Sequence, residues 1–123
     1  MAQPARSFHT QQIHYLRRTI TFANAGTTVE VGTIPAGSLV LKPISGVHVT
    51  TAFNGDTTNT VSLGPSTDSG TDLWATALAL GTTNFVPFDE NVTLLVASDT
   101  IVAAAGVSTA SPSAGAAEII VAF

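Results

Sequence analysis

Residues 46–64 read GVHVTTAFNGDTTNTVSLG, two alternating segments around a polar turn. In the first segment, every second residue from Val47 to Phe53 falls on one face, and His48 starts the opposite face. Residues 58–64 resume the alternation through Val61 and Leu63. A period of two is typical of half-buried β-strands. Asn54-Gly55-Asp56 predicts a turn between them, because Asn and Gly tolerate the positive φ that tight hairpins demand.

The same alternation of apolar and polar residues continues before and after this stretch. Short alternating segments separated by Gly, Pro, Asn and Asp predict further strands at residues 18–23, 27–33, 38–41, 84–88, 92–97, 101–107 and 118–123. The Ala-rich segment 73–80 has two interpretations, a short helix or an edge strand, because periodicity alone does not decide between them. The pattern predicts an all-β sandwich or barrel of about eight strands.

Composition agrees with a single domain and excludes several kinds of chemistry. The chain has 123 residues, of which 45% are hydrophobic and 10% are charged, values that suit one globular domain. It contains no cysteine, so thiol catalysis, zinc–thiolate sites and iron–sulfur clusters are excluded. No apolar run approaches the roughly 20 residues of a membrane helix, and no signal peptide is visible. We expect a protein made in the cytoplasm, with no membrane partner.

The charges are divided unevenly along the chain. All three arginines precede residue 19, whereas all eight acidic residues and Lys42 follow it. This asymmetry predicts a basic N-terminal arm, residues 1–18, on an acidic body, residues 19–123, that forms a single β-sandwich domain. An acidic body would repel phosphates, so we expect no nucleic-acid partner.

The predicted arm is too polar to form a core of its own. It is either a frayed terminus or an extended segment that docks on a neighbouring subunit. Its apolar side chains favour docking, because a mere tail would not need such anchors. The candidate partner-binding residues are Arg6, Phe8, Tyr15, Arg17 and Arg18.

No set of residues in the sequence points to catalysis. The three histidines do not pair at a metal-ligand spacing, no serine occupies a Gly-x-Ser-x-Gly elbow, and no glycine loop fits a nucleotide fingerprint. Asp68 and Asp72 share a Gly-containing loop, but their spacing does not match the twelve-residue calcium loop. We therefore expect no enzymatic activity, no cofactor and no metal site.

Trp74 is the one tryptophan and follows the polar loop 65–72. Its ring could stack on a sugar or meet a partner, which makes it a possible ligand or interface residue. The alternative is that it fills the core, as large aromatic side chains often do.

Several segments together resemble small virion proteins of tailed bacteriophages, in particular the capsid decoration (cement, or head-stabilising) family. These segments are GTIPAGSLV at 32–40, VHVTTAFNG at 47–55, VSLG at 61–64, DLWAT at 72–76 and AEIIVAF at 117–123. The resemblance covers roughly residues 30 to 123, and no motif in the arm contributes to it.

The resemblance implies an antiparallel β-sandwich or jelly roll with an extended N-terminal arm. It also implies a non-enzymatic protein of the capsid surface, a homo-oligomer, with a trimer as the expected form, whose partner is the major capsid protein. Two alternatives remain open. One is a receptor- or sugar-binding virion module with Trp74 and the loop 65–72 at its site, and the other is a tail or fibre component.

Overall fold

A computed structural model of the chain describes residues 12–67, 74–90, 97–108 and 112–123. Within these ranges there are eight β-strands and two short 3-10 turns, Phe22–Asn24 and Lys42–Ile44. The strands are β1 Tyr15–Thr21, β2 Thr28–Ile34, β3 Gly46–Thr51, β4 Thr60–Pro65, β5 Ala75–Ala79, β6 Phe85–Pro87, β7 Asp99–Ala105 and β8 Ala116–Ala122.

The strands form two four-stranded sheets that pack as a sandwich. Sheet A has the order β1-β8-β3-β6, sheet B has the order β2-β7-β4-β5, and all pairings are antiparallel. Each of the first four strands pairs with one of the last four in reverse order, β1 with β8 through β4 with β5. This order is that of a jelly roll. The prediction of an antiparallel β-sandwich of about eight strands is confirmed.

The core lies between the sheets and follows the period-two alternation of the strands. On β3, Val47 and Val49 are fully buried while His48 between them is exposed, as the sequence predicted. The largest fully buried side chains from the other elements are Trp74, Phe88, Ile20, Ile34, Leu63, Leu80, Ile101, Ile119, Val61 and Val121. Burial of apolar surface on this scale is the main stabilising contribution to such a fold.

The turn at residues 54–56 carries the chain from one sheet to the other. β3 lies in sheet A and β4 in sheet B, and neither Asn54 nor Gly55 has a positive φ, so the tight-hairpin geometry is not used. Asn54 instead binds the loop before β8, where its Oδ1 accepts hydrogen bonds from the N–H groups of Ser113 (3.0 Å) and Ala114 (2.9 Å). Asn54 thus joins two segments that are distant in sequence and does not close a local turn.

Three other predicted segments have different outcomes. Segment 73–80 contains the edge strand β5, which pairs with β4, so the strand interpretation is confirmed. Residues 38–41 do not form a strand. They connect the turn at Gly37 to the 3-10 turn Lys42–Ile44, and their β-type pairing is limited to an isolated bridge at Leu39 and to the bond from the Leu41 N–H to the Ala122 carbonyl (2.8 Å). Most of the predicted strand 92–97 lies outside the described residues.

A carboxylate at the start of β7 connects this strand to the end of β4. Asp99 accepts hydrogen bonds from Thr67 Oγ1 and from Ser66 Oγ (2.8 Å). These bonds, that from Thr67 above all, lower the pKa of Asp99 below its usual value of 3.8. The charged form is therefore favoured in the folded protein.

We expect Asp99 to contribute a pH-dependent share of stability. Because its folded pKa is lowered, the contribution is present above about pH 4 and is lost as the pH falls through the folded pKa. Urea unfolding from about pH 2 to pH 6 should show a shallower acid limb for Asp99→Asn than for the unaltered protein. Asp56→Asn, in an exposed loop, is the control, and identical acid limbs for Asp99→Asn and the unaltered protein would contradict the expectation.

Candidate interface on sheet A

The candidate partner-binding residues at the end of the predicted arm lie in the sandwich itself. β1 starts at Tyr15 and stays in register with β8 over seven residue pairs, so Tyr15, Arg17 and Arg18 belong to sheet A. The predicted boundary after residue 18 therefore falls inside β1, because strand pairing follows backbone hydrogen bonding and not charge. Arg6 and Phe8 lie outside the described residues.

The side chains of β1 divide between the solvent and the core. Tyr15 and Arg17 point away from the core, with 54% of Tyr15 and 60% of the Arg17 side chain exposed. On the other side, Ile20 is buried and Leu16 packs over Gly32 of β2, where an added Cβ would lie 2.9 Å from Leu16 Cδ2. Arg18 shares the side of Leu16 and Ile20 but is exposed at the edge of the sheet. It forms no ion pair with any described residue.

Arg17 is held in place by a carboxylate of the neighbouring strand. Its Nε lies 2.6 Å from Glu118 Oε1 on β8. A surface ion pair of this kind contributes less than about 1 kcal/mol to stability. Its effect is to orient the Arg17 side chain and to neutralise half of the positive charge that β1 carries.

Cross-strand pairing extends this surface over the whole width of sheet A. Thr19 pairs with Glu118, which pairs with His48, which pairs with Phe85. The exposed ring of Phe85 lies close to Gly46, where an added Cβ would approach Phe85 Cζ to 2.8 Å. We call the outer surface of sheet A "face A" and define it by Tyr15, Arg17, Thr19, His48, Phe85, Glu118 and Ile120.

The outer surface of sheet B has a different chemistry. Its solvent side carries small and polar side chains with one carboxylate, namely Thr28, Glu30, Ser62, Thr100, Val102 and Ala104. Aromatic rings and guanidinium groups, which are enriched in the energetically important parts of protein interfaces, lie on sheet A. Among the described strands, face A is therefore the better candidate for a protein interface.

A shallow apolar cleft of about 470 Å³ adjoins the start of β1. Its lining includes Ile13, Leu39 and Phe123, and the rings of His14 and Phe123 stack with their centroids 5.6 Å apart. Sequence analysis did not single out Leu39, because its segment was predicted to be a strand. The available signal was a leucine two positions after the Pro35-Ala36-Gly37 break.

Trp74 lies in the core and not at a site. Its side chain is 0% exposed and packs against Phe88, with ring centroids 6.3 Å apart. Its buried Nε1 has no hydrogen-bond acceptor among the described residues. The ring has no surface available for a sugar or a partner, so the core interpretation of Trp74 applies and its possible ligand role is corrected. Residues 68–72 of the adjoining loop lie outside the described residues.

Two further searches of the described ranges bear on function. No three histidine or acidic side chains there come together in a way that could hold a metal ion. None of the helical segments in those ranges has the length and apolar character needed to cross a membrane.

Comparison with known proteins relates the chain to one capsid structure. No protein-family model and no curated protein matches the sequence. Among solved structures, the fold is similar to a chain of the "Cyanophage Pam1 capsid asymmetric unit", with a TM-score of 0.68 and 17% sequence identity. The superposition covers 98% of this chain and 91% of that chain. Because the sequence identity is only 17%, the similarity shows a shared fold and nothing further; this fold extends over almost the entire length of both chains.

Proposed function

We propose that this protein is a non-enzymatic structural protein of a bacteriophage virion that decorates and stabilises the capsid. The observation that carries the proposal is the fold shared over 98% of this chain with a chain of a phage capsid. The sequence resemblance to capsid decoration proteins supports the same function independently of the fold. Binding to a shell requires a rigid body and complementary surfaces, and the two packed sheets provide such a body.

Face A is the surface we assign to the shell. Tyr15 and Phe85 present exposed rings on this face, and Arg17 is oriented there by Glu118. Tyrosine and arginine supply much of the binding energy of protein interfaces, because one side chain offers both apolar area and hydrogen bonds. The partner that fits is a partly apolar patch of the major capsid protein, since the charge of Arg17 on face A is already balanced by Glu118.

We further propose that the protein acts as a homo-oligomer, for which the resemblance implies a trimer. Repeated copies increase the strength of attachment to a shell, because binding of one copy raises the effective concentration of the others. Symmetric arrangement is also the usual form of homo-oligomers.

Binding to capsids that lack this protein tests the function. The unaltered protein should cosediment with such capsids, and the double variant Tyr15→Ala/Arg17→Glu, which changes two residues of face A, should bind at least about tenfold more weakly. Lys42→Glu is the charge-matched control, because it reverses one positive charge outside face A, in the 3-10 turn Lys42–Ile44.

The two possible failures have different meanings. If the unaltered protein stays in the supernatant, the decoration function is wrong. If it cosediments and the double variant binds as well as Lys42→Glu, the protein binds capsids through a surface other than face A.

A further inference from the structure

The four edge strands of the sandwich differ in how they are protected against pairing. In sheet B, β2 has a bulge between Glu30 and Gly32, and β5 has a left-handed residue at Ala77 and an N–H at Thr76 that donates to Asp89 Oδ1 (3.0 Å). In sheet A, β6 has only three residues and ends in a proline. Bulges, short strands and prolines are the means by which proteins prevent edge-to-edge association. β1 has seven residues, no proline and no bulge, since its seven pairs with β8 are uninterrupted. Its protection is limited to the charges of Arg17, which is paired with Glu118, and of Arg18.

The backbone bonds at both ends of β1 show which groups point to the open side. His14 and Phe123 exchange two hydrogen bonds (2.8 and 2.9 Å), and Phe22 N–H donates to Gly115 (3.1 Å). In an antiparallel pair, hydrogen-bonded positions recur at every second residue. The even-numbered residues of β1 therefore bond to β8.

The odd-numbered residues of β1 point their N–H and C=O groups away from β8. The N–H of Thr21 donates to Asn24 Oδ1 (2.9 Å), which closes that end of the strand. The N–H and C=O groups of Tyr15, Arg17 and Thr19 have no backbone partner in any described strand. They form a regular template to which one further strand can be added.

We propose that β1 pairs antiparallel with β1 of a second copy of this chain, so that sheet A continues across the two copies. This inference rests on the proposed function only in taking the protein to be a homo-oligomer. It departs from the trimer that the resemblance implies, because pairing about a two-fold axis gives an even number of copies. The pairing is self-complementary, because a two-fold axis brings the same open donors and acceptors of the two copies opposite one another. Other surfaces remain available to join such pairs into larger assemblies.

Charge selects the register of the pair. With Arg17 opposite Arg17 of the second copy, two guanidinium groups would face each other directly, which destabilises a ladder. A shift of one residue in each copy places Tyr15 opposite Arg17 of the second copy, so that each ring faces a cation. The two Arg18 residues are then four positions apart along the strand, about 13 Å, which exceeds the Debye length of about 10 Å at 0.1 M salt.

A proline at position 19 tests the pairing without disturbing the fold. In the register with Tyr15 opposite Arg17, Thr19 lies opposite Ile13 of the second copy. Because the N–H of Thr19 points to the open side, Thr19→Pro removes no bond to β8 but removes the donor to this position and places its ring in the way of the added strand. Light scattering should give a mass corresponding to an even number of copies for the unaltered protein and half of that mass for Thr19→Pro. Thr19→Val, which keeps the N–H, should behave as the unaltered protein.

Hydrogen exchange of the unaltered protein gives a second readout that does not depend on any variant. The amides of Tyr15, Arg17 and Thr19 should be protected in the oligomer and lose protection on dilution. A mass of an odd number of copies, rapid exchange of these amides at about 1 mM protein, or a folded Thr19→Pro of unchanged mass would overturn the proposal. Capsid binding is measured separately, so a failure of the decoration function leaves this result interpretable.

Discussion

Trp74→Ala is expected to lower the free energy of unfolding by about 3 to 5 kcal/mol, the usual effect of truncating a buried large aromatic side chain. Trp74 has no exposed surface and packs against Phe88, so its removal leaves a cavity in a close-packed core. Single domains have total stabilities of about 5 to 15 kcal/mol. The variant should therefore be only marginally folded at room temperature.

Urea unfolding followed by circular dichroism measures this loss, and Trp74→Phe is the matched control. Phenylalanine keeps most of the apolar volume and removes the buried Nε1 that lacks a described acceptor, so its loss should be well below that of alanine. A loss of less than about 1 kcal/mol for Trp74→Ala would contradict the core position. A ligand-binding residue would show the opposite behaviour, with glycan binding altered and stability unchanged.

Gly115→Ala is the second substitution with a large expected effect, a loss of about 2 to 6 kcal/mol in the free energy of unfolding. Gly115 has a φ of +145°, which side-chain-bearing residues rarely adopt, and such a conformation costs them about 1 to 3 kcal/mol. The added Cβ would also lie 2.5 Å from Cγ and Cδ2 of Phe53. Phe53 is itself buried, so relieving the overlap requires a shift of the core, at about 1 to 3 kcal/mol more.

Two other glycines separate the backbone contribution from the steric one. Gly37 has a φ of +82° with nothing within 4 Å of an added Cβ, so Gly37→Ala should lose only the conformational part, about 1 to 2 kcal/mol. Gly81 has open space and no positive φ, and Gly81→Ala should be nearly neutral. If Gly115→Ala unfolds at the same urea concentration as Gly37→Ala, the close packing of Phe53 against residue 115 is wrong.

The sequence by itself determined the fold class and most of the core. Alternation of apolar and polar residues has a period of two in strands because successive side chains point to opposite sides of the backbone, so a local pattern is enough to assign Val47 and Val49 to the core and His48 to the solvent. The composition also determined that no disulfide stabilises the core, because the chain contains no cysteine. The alternation depends only on residues that are neighbours along the chain, so it can be read from the sequence without the tertiary structure.

The tertiary structure decided which strands pair, where the sheets end and which large side chains are exposed. Segment 15–18 was predicted to be arm on its charge, yet it forms the edge of sheet A because β8, about a hundred positions later in the chain, supplies its hydrogen bonds. The course of the turn at Asn54, which leads from one sheet to the other, and the burial of Trp74 also depend on residues that are distant in sequence. A local sequence pattern does not predict which distant strand or side chain a segment will contact. The open backbone groups of β1 likewise follow from one register, since a shift of one residue would turn them toward β8.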